Sequence, residues 1–210
     1  MYKTILFDID GTLIDSEKYL MDALNKALKD IFNLSLTIKD FEFLLGKTET
    51  EIAKLVTSNK SLQKKLTKEW TKNVSLQKEP PILFNNVLET LYILKKRNIK
   101  IGIVTSKTKI HMKNDFDKLN INHLFDVIVN ADMVTNTKPN AEPLLAAMKK
   151  LHSTPNDTLF IGDTHSDLEC ARNANVKFGL ALWGTKLHLD DPKILYLNSF
   201  EDVINYIYKQ

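Results

Sequence analysis

The chain has 210 residues, 43% of them apolar and 26% charged, which suits one ordinary domain or a domain carrying a modest insertion. A core of that size needs neither a disulfide nor a structural metal. Lys and Arg outnumber Asp and Glu by only 29 to 26, and that small excess is spread along the chain, so the dense basic block of a dedicated nucleic-acid binder is excluded. The single cysteine cannot close an internal disulfide, no stretch approaches 18 uninterrupted apolar residues, and the N-terminus lacks a signal-peptide pattern. A cytoplasmic protein with no membrane partner is expected.

In chain order, residues 4–7 predict a buried strand that runs into Asp8 and Asp10. No strand is expected from Asp15 to Pro81. Leu20, Leu24, Ala27, Leu28 and Ile31 keep helical spacing, and Ile52, Leu55 and Val56, then Leu62, Leu66 and Trp70, suggest further short helices. Phe41, Phe43 and Trp70 are expected to pack inside this segment, and the Lys-rich run 60–72 reads as a solvated helix face. Glu79-Pro80-Pro81 closes the segment as a stiff linker. Beyond it, helices over 86–96, 110–119, 142–151, 167–174 and 200–208 alternate with strands over 99–104, 125–129, 158–161 and 178–182. Strands this uniformly apolar are covered on both faces. The expected fold class is therefore α/β, with a doubly wound parallel-sheet, Rossmann-like core from residues 1–14 and 82–210 and an all-helical insertion from 15–81.

Chemistry concentrates at the strand ends. Asp8 and Asp10, two apart on an extended chain, project the same way, at the edge where open α/β sheets place ligands. Gly11 then lets the backbone turn. Alone, an Asp-x-Asp-Gly also suits calcium loops and ordinary turns. The second core strand delivers Thr105 and Ser106 to the same edge, and Lys138 sits in a loop before a helix. Asp163 and Asp167 follow the fourth core strand, four residues apart at a helix start. Four carboxylates on one edge repel, and Lys138 alone cannot neutralise them. A divalent cation with hard oxygen ligands can, and Mg²⁺ is the expected cofactor. The cation, Lys138 and the Thr105 hydroxyl would form an electropositive pocket for a dianion. Asp8 then fits a nucleophile that becomes an aspartyl-phosphate, and Asp10 a general acid and base.

With these motifs in that order, Asp8-Ile9-Asp10-Gly11-Thr12-Leu13, Val104-Thr105-Ser106, Lys138-Pro139 and Gly162-Asp163 through Asp167, the chain resembles the haloacid dehalogenase-like (HAD) superfamily over nearly its whole length. The resemblance implies Asp8 as nucleophile, Asp10 as acid/base, Thr105 and Lys138 on the phosphoryl group, and Mg²⁺ held by Asp8, the Asp10 carbonyl and Asp163 with Asp167 in support. It implies that residues 15–81 are the helical cap of the phosphoglycolate phosphatase and β-phosphoglucomutase branch. Departures narrow the choice. Intact Asp10 disfavours a dehalogenase. Leu20 stands where β-phosphoglucomutases carry a His, and Glu49 where they carry a cap Arg, so a mutase is disfavoured. The segment Ala181-Leu182-Trp183-Gly184-Thr185 looks most like phosphoglycolate phosphatases and pyrophosphatases. The expected activity is hydrolysis of a small phosphorylated metabolite, phosphoglycolate-like, with pyrophosphate, a sugar phosphate or a nucleoside monophosphate still open and a monomer or homodimer as the working form.

Several residues weigh against other readings. Gly46-Lys47-Thr48 ends like a phosphate-binding P-loop, but Phe41 stands where the motif needs its first Gly. Lys47 is instead a candidate substrate contact from a cap loop, beside the equal alternative of a solvent-exposed loop. His165 is expected to be exposed, Cys170 packed and unreactive, and Trp183 either at the cleft or capping the sheet edge. A receiver domain would not explain Asp163 and Asp167 after Lys138. A catalytically silent binding protein would have no chemical need for Asp8, Asp10, Lys138 and Asp163.

Overall fold

The computed structural model describes residues 2–185 and 187–208. The chain opens with β1 (Thr4–Phe7) and the short β2 (Ile14–Asp15), passes through α1 (Glu17–Phe32), α2 (Ile38–Glu42), α3 (Glu49–Val56) and α4 (Lys60–Ser75), and returns along β3 (Ile82–Leu83). It continues as α5 (Val87–Lys96), β4 (Lys100–Val104), α6 (Lys109–Asn114), β5 (Val127–Val129), α7 (Glu142–Leu151), β6 (Thr158–Gly162), α8 (His165–Asn173), β7 (Lys177–Ala181), β8 (Leu195–Leu197) and α9 (Phe200–Tyr208). Six strands pair in parallel in the order β5-β4-β1-β6-β7-β8, with β1 between β4 and β6. This is the doubly wound α/β core expected from the alternation of apolar bursts and helical patterns.

The two-residue period of β1 builds both faces of the core. Ile5 and Phe7 enter one apolar cluster with Val87, Leu91 and Leu94 of α5 and Phe200 and Val203 of α9. Leu6 enters another with Leu144 and Met148 of α7 and Leu168 of α8. Each large side chain fully buried in this way contributes roughly 1.5–3 kcal/mol, which is why a strand of only four residues can sit at the centre of the sheet. The four helices after β2 share a cluster of their own, with Leu24, Leu28, Phe41, Ile52, Leu66, Trp70 and Val74 at its centre.

Four sequence expectations need correction. The stretch beginning at Asp15 does contain a strand residue: β2 pairs antiparallel with β3, Ile14 against Leu83 and Asp15 against Ile82, where the chain leaves the sheet layer and comes back. Two-residue strands carry no periodic signal. β8 was likewise too short to stand out. The helix expected over 110–119 stops at Asn114 and gives way to a 3₁₀ turn over Phe116–Leu119. Its break is Asp115, whose carboxylate accepts the N–H of Phe116 and so competes with the helical hydrogen bonds. Phe43, expected inside the cap, is 69% exposed. Among the described residues no helix is long and apolar enough to cross a membrane.

Candidate active site

Strand register assembles the site. Phe7 lies opposite Ile103 of β4 on one side and Ile161 of β6 on the other, so the residues that follow, Asp8, Thr105 and Asp163, come off one edge together. The Asp8 N–H still donates to the Ile161 carbonyl at 2.9 Å, which fixes its backbone to the sheet. Asp167 is placed by the first turn of α8. Thr164 caps that helix, and its N–H and hydroxyl both donate to Asp167 Oδ2, at 3.0 and 2.6 Å. Gly11 has φ +71°, and a Cβ there would fall 2.1 Å from Asp163 Oδ2. A Gly11→Ala variant should therefore lose at least about 1–2 kcal/mol from left-handed backbone strain alone, displace Asp163 and weaken divalent-cation binding. Thermal melts with and without Mg²⁺ would measure both, and an unchanged melting temperature would contradict the close approach.

The charges are buried and unevenly matched. Lys138 Nζ lies 2.8 Å from Asp8 Oδ1 and 2.6 Å from Asp167 Oδ1. Burial by itself would lower the Lys138 pKa, but Asp167 and Asp8 more than reverse it, so the ammonium stays charged. Burial pushes the Asp8 carboxyl up to about 7 against the pull of Lys138, with Asp167 and Asp10 adding to the rise. Asp163 is raised well above the usual carboxylate range by burial and then by Asp167 and Asp8. Ligand oxygens of Asp8, Asp163 and Asp167 lie within 4.8 Å of one another. A buried set of hard oxygen donors short of positive charge fits a divalent cation of the Mg²⁺ type. The Asp10 side chain stands outside this set, so any part it has in metal binding falls to its backbone.

Asp10 belongs to a second network that the sequence did not disclose. Lys107 is buried with its Nζ 2.9 Å from Asp10 Oδ1 and 2.6 Å from Asp115 Oδ2. Burial would lower its pKa, yet Asp10 and Asp115 raise it, so this lysine is charged too. The site thus holds two buried lysines rather than Lys138 alone, and its carboxylates still outnumber them. Lys107 was visible at the end of the second core strand, but nothing in the pattern distinguished it from an exposed lysine.

The helical segment closes the site from above. A cavity of about 70 Å³ is floored by Asp8, Asp10 and Thr105 and roofed by cap residues that include Leu20, Phe41 and Trp70. The Ser106 hydroxyl donates to the Gly46 carbonyl at 3.2 Å, so in this arrangement it ties the cap loop down. Gly46 has φ +76° and sits against Thr164, where a Cβ would clash. Lys47 lines the cavity, with its ammonium 5.0 Å from the centre of the Phe43 ring. Thr105 is buried and its hydroxyl accepts the Lys107 N–H at 3.1 Å. Beside them His111 of α6 is held by the cap from both sides: Nδ1 is 2.9 Å from Glu49 Oε1, and Nε2 is 2.8 Å from the Thr71 hydroxyl. The Thr108 hydroxyl adds a bond to the same Glu49 oxygen at 3.1 Å. Glu49 therefore spans cap and core, a role that its sequence position alone could not show.

The remaining candidates take quieter places. His165 is exposed. Cys170 is buried, its thiol pushed up to about 12 chiefly by burial, and it donates to the Asn140 carbonyl. Trp183 packs on Phe200 with ring centres 4.8 Å apart, and its Nε1–H donates to the Thr12 carbonyl at 2.9 Å. It braces the loop that carries Asp8, Asp10 and Gly11.

The chain is similar to known proteins. The profile of the haloacid dehalogenase-like hydrolases matches residues 5–181. A phosphoglycolate phosphatase of Aquifex aeolicus is 31% identical over 194 residues, covering 90% of each chain. A pyrophosphatase PpaX of Oceanobacillus iheyensis is 30% identical over 184 residues, 88% of this chain and 85% of that one. Among solved structures, a hydrolase from Pseudomonas syringae has the same fold, with a TM-score of 0.83 at 23% identity over 99% of this chain and 98% of that one.

Proposed function

Because the chain belongs to the haloacid dehalogenase-like hydrolase family, we propose that it is a cytoplasmic Mg²⁺-dependent phosphatase acting on a small phosphorylated metabolite through an aspartyl-phosphate on Asp8. The observation that carries this reading is the placement of Asp8 on the cavity floor, buried, beside Lys138 and within the carboxylate set of Asp163 and Asp167. When bound there, Mg²⁺ supplies positive charge that offsets both the carboxylates and the phosphate. Lys138 holds one face of the transferring group and keeps Asp8 aimed. Thr105, with the backbone amides that follow it, offers donors to the phosphoryl oxygens. Asp8 attacks phosphorus as Asp10 gives its proton to the departing oxygen. Asp10 then takes a proton from water, which hydrolyses the aspartyl-phosphate and restores Asp8. The apolar cap roof excludes bulk water from these steps.

A cavity of about 70 Å³ in the closed arrangement suits a small leaving group. Phosphoglycolate is the favoured substrate, supported by the Aquifex aeolicus relative and by Lys47, a cation at the cavity wall able to meet a carboxylate. Pyrophosphate is the second reading, supported by the PpaX relative. Phosphate release with Mg²⁺ from phosphoglycolate, pyrophosphate, sugar phosphates and nucleoside monophosphates tests the choice. Phosphoglycolate should stand about a hundredfold above the rest in kcat/KM. Pyrophosphate at the head would establish the second reading, and no Mg²⁺-dependent release from any of them would overturn both. Lys47→Ala should raise KM for the preferred substrate about tenfold with little change in kcat; an unchanged KM would return Lys47 to the solvent.

A further inference from the structure

Among the described residues, Lys107 is the one buried cation of the site that the proposed reaction does not yet use, and its surroundings are built rather than incidental. Behind it stands Asp115, fully buried, with one carboxylate oxygen fixed by the Phe116 N–H and the other 2.6 Å from Lys107 Nζ. In front, the same Nζ reaches Asp10 Oδ1 at 2.9 Å. The Ser16 hydroxyl, at the entry to α1, donates to that same Oδ1. Two donors, one following β4 and one preceding α1, thus converge on one oxygen of Asp10. Its other oxygen, Oδ2, takes no hydrogen bond among the described residues, and Asp10 lines the cavity next to Asp8.

We propose that Lys107, anchored by Asp115, is a positioning residue for Asp10: it clamps Oδ1 so that Oδ2 is the oxygen presented to the leaving group. The inference rests on the phosphatase reading. In the first half-reaction the proton on Oδ2 passes to the leaving oxygen as its bond to phosphorus breaks and the bond from Asp8 to phosphorus forms. In the second, Oδ2 takes a proton from the attacking water. Asp115 matters because it balances the charge of Lys107. Held from behind by Asp115, the lysine keeps a fixed place from which its Nζ meets Asp10 Oδ1. A break in α6 is what puts Asp115 there, so the helix interruption has a function in this arrangement.

Leaving-group chemistry separates positioning of a general acid from mere support of the fold. An alkyl phosphate needs its departing oxygen protonated, whereas p-nitrophenyl phosphate leaves as a stable anion. The ratio kcat/KM covers every step through release of that group, so it should be measured with both esters and Mg²⁺ for wild type, Lys107→Met and Asp10→Asn. Lys107→Met should lower kcat/KM for the alkyl ester by about a hundredfold, the usual size of a general-acid contribution, and change it less than about fivefold for the aryl ester, following the pattern of Asp10→Asn. Asp115→Asn should shift the ratio in the same direction. If Lys107→Met does not fold, Lys107→Gln, which keeps a donor, should show the same selectivity at smaller size. Equal losses on both esters, or no loss on either, would overturn the role of Lys107 while leaving the phosphatase reading standing. Wild type inactive on both esters would overturn that reading itself, and the proposal with it.

Discussion

Asp8→Asn is expected to abolish phosphate release, by at least about four orders of magnitude or roughly 5.4 kcal/mol of transition-state free energy, while leaving the folded protein as stable as wild type or more so above pH 7. The amide keeps the shape of the side chain but has no anionic oxygen to bond phosphorus. The stability half of the expectation follows from burial. The Asp8 carboxyl is raised to about 7 in the fold from an ordinary 3.8, so the native protein binds this proton more tightly than the unfolded chain. Stability from the protonated form is complete below about pH 4 and is lost as pH rises toward 7. A neutral Asn is spared that loss, and Lys138 retains Asp167 at 2.6 Å as its partner. Single-turnover assays and metal-free melts at pH 8 check the two halves. Turnover within tenfold of wild type would remove Asp8 as nucleophile, and a lower melting temperature would mean that its pair with Lys138 outweighs its desolvation.

What was legible in the sequence was set by backbone period and strand ends. The strands β1, β4 and β6 are short apolar bursts that each give way to a polar site residue, so Asp8, Thr105 and Asp163 could be placed at one edge before any register was known. Asp167 and Lys138 followed from the helix starts around them. Lys107 and Asp115 could not be found in this way. A lysine just after a strand and an aspartate within a helical pattern are ordinary on a solvated surface, and only the broken helix turns one toward the other. Glu49 and His111 meet because the cap docks on α6 of the core, with α4 packed against that helix, and that contact depends on how two separately packed layers dock. Phe43 shows the opposite error. Its position beside Phe41 suggested packing, but α2 is a single short turn and only Phe41 points into the apolar cluster.

Lys138→Met is the substitution expected to damage the fold most. It removes the cation shared by Asp8 and Asp167 and leaves both carboxylates buried without it. Loss of one member of a buried pair costs about 3–5 kcal/mol, and the apolar replacement recovers little because the orphaned charges remain. The loss should be largest in metal-free protein at pH 8. At pH 5 it should shrink, because Asp8 and Asp163, both raised by burial, can take protons instead. A divalent cation competes with those protons for the same oxygens. Added Mg²⁺ should therefore raise the melting temperature of wild type more at pH 8 than at pH 5, and should recover part of the stability lost in Lys138→Met. Urea denaturation of both proteins at the two pH values, with Mg²⁺ or with EDTA, gives all of these quantities. A loss below about 1 kcal/mol at pH 8 without metal would mean that the carboxylates are already neutral or solvated. A Mg²⁺ effect independent of pH would place the cation away from Asp8 and Asp163.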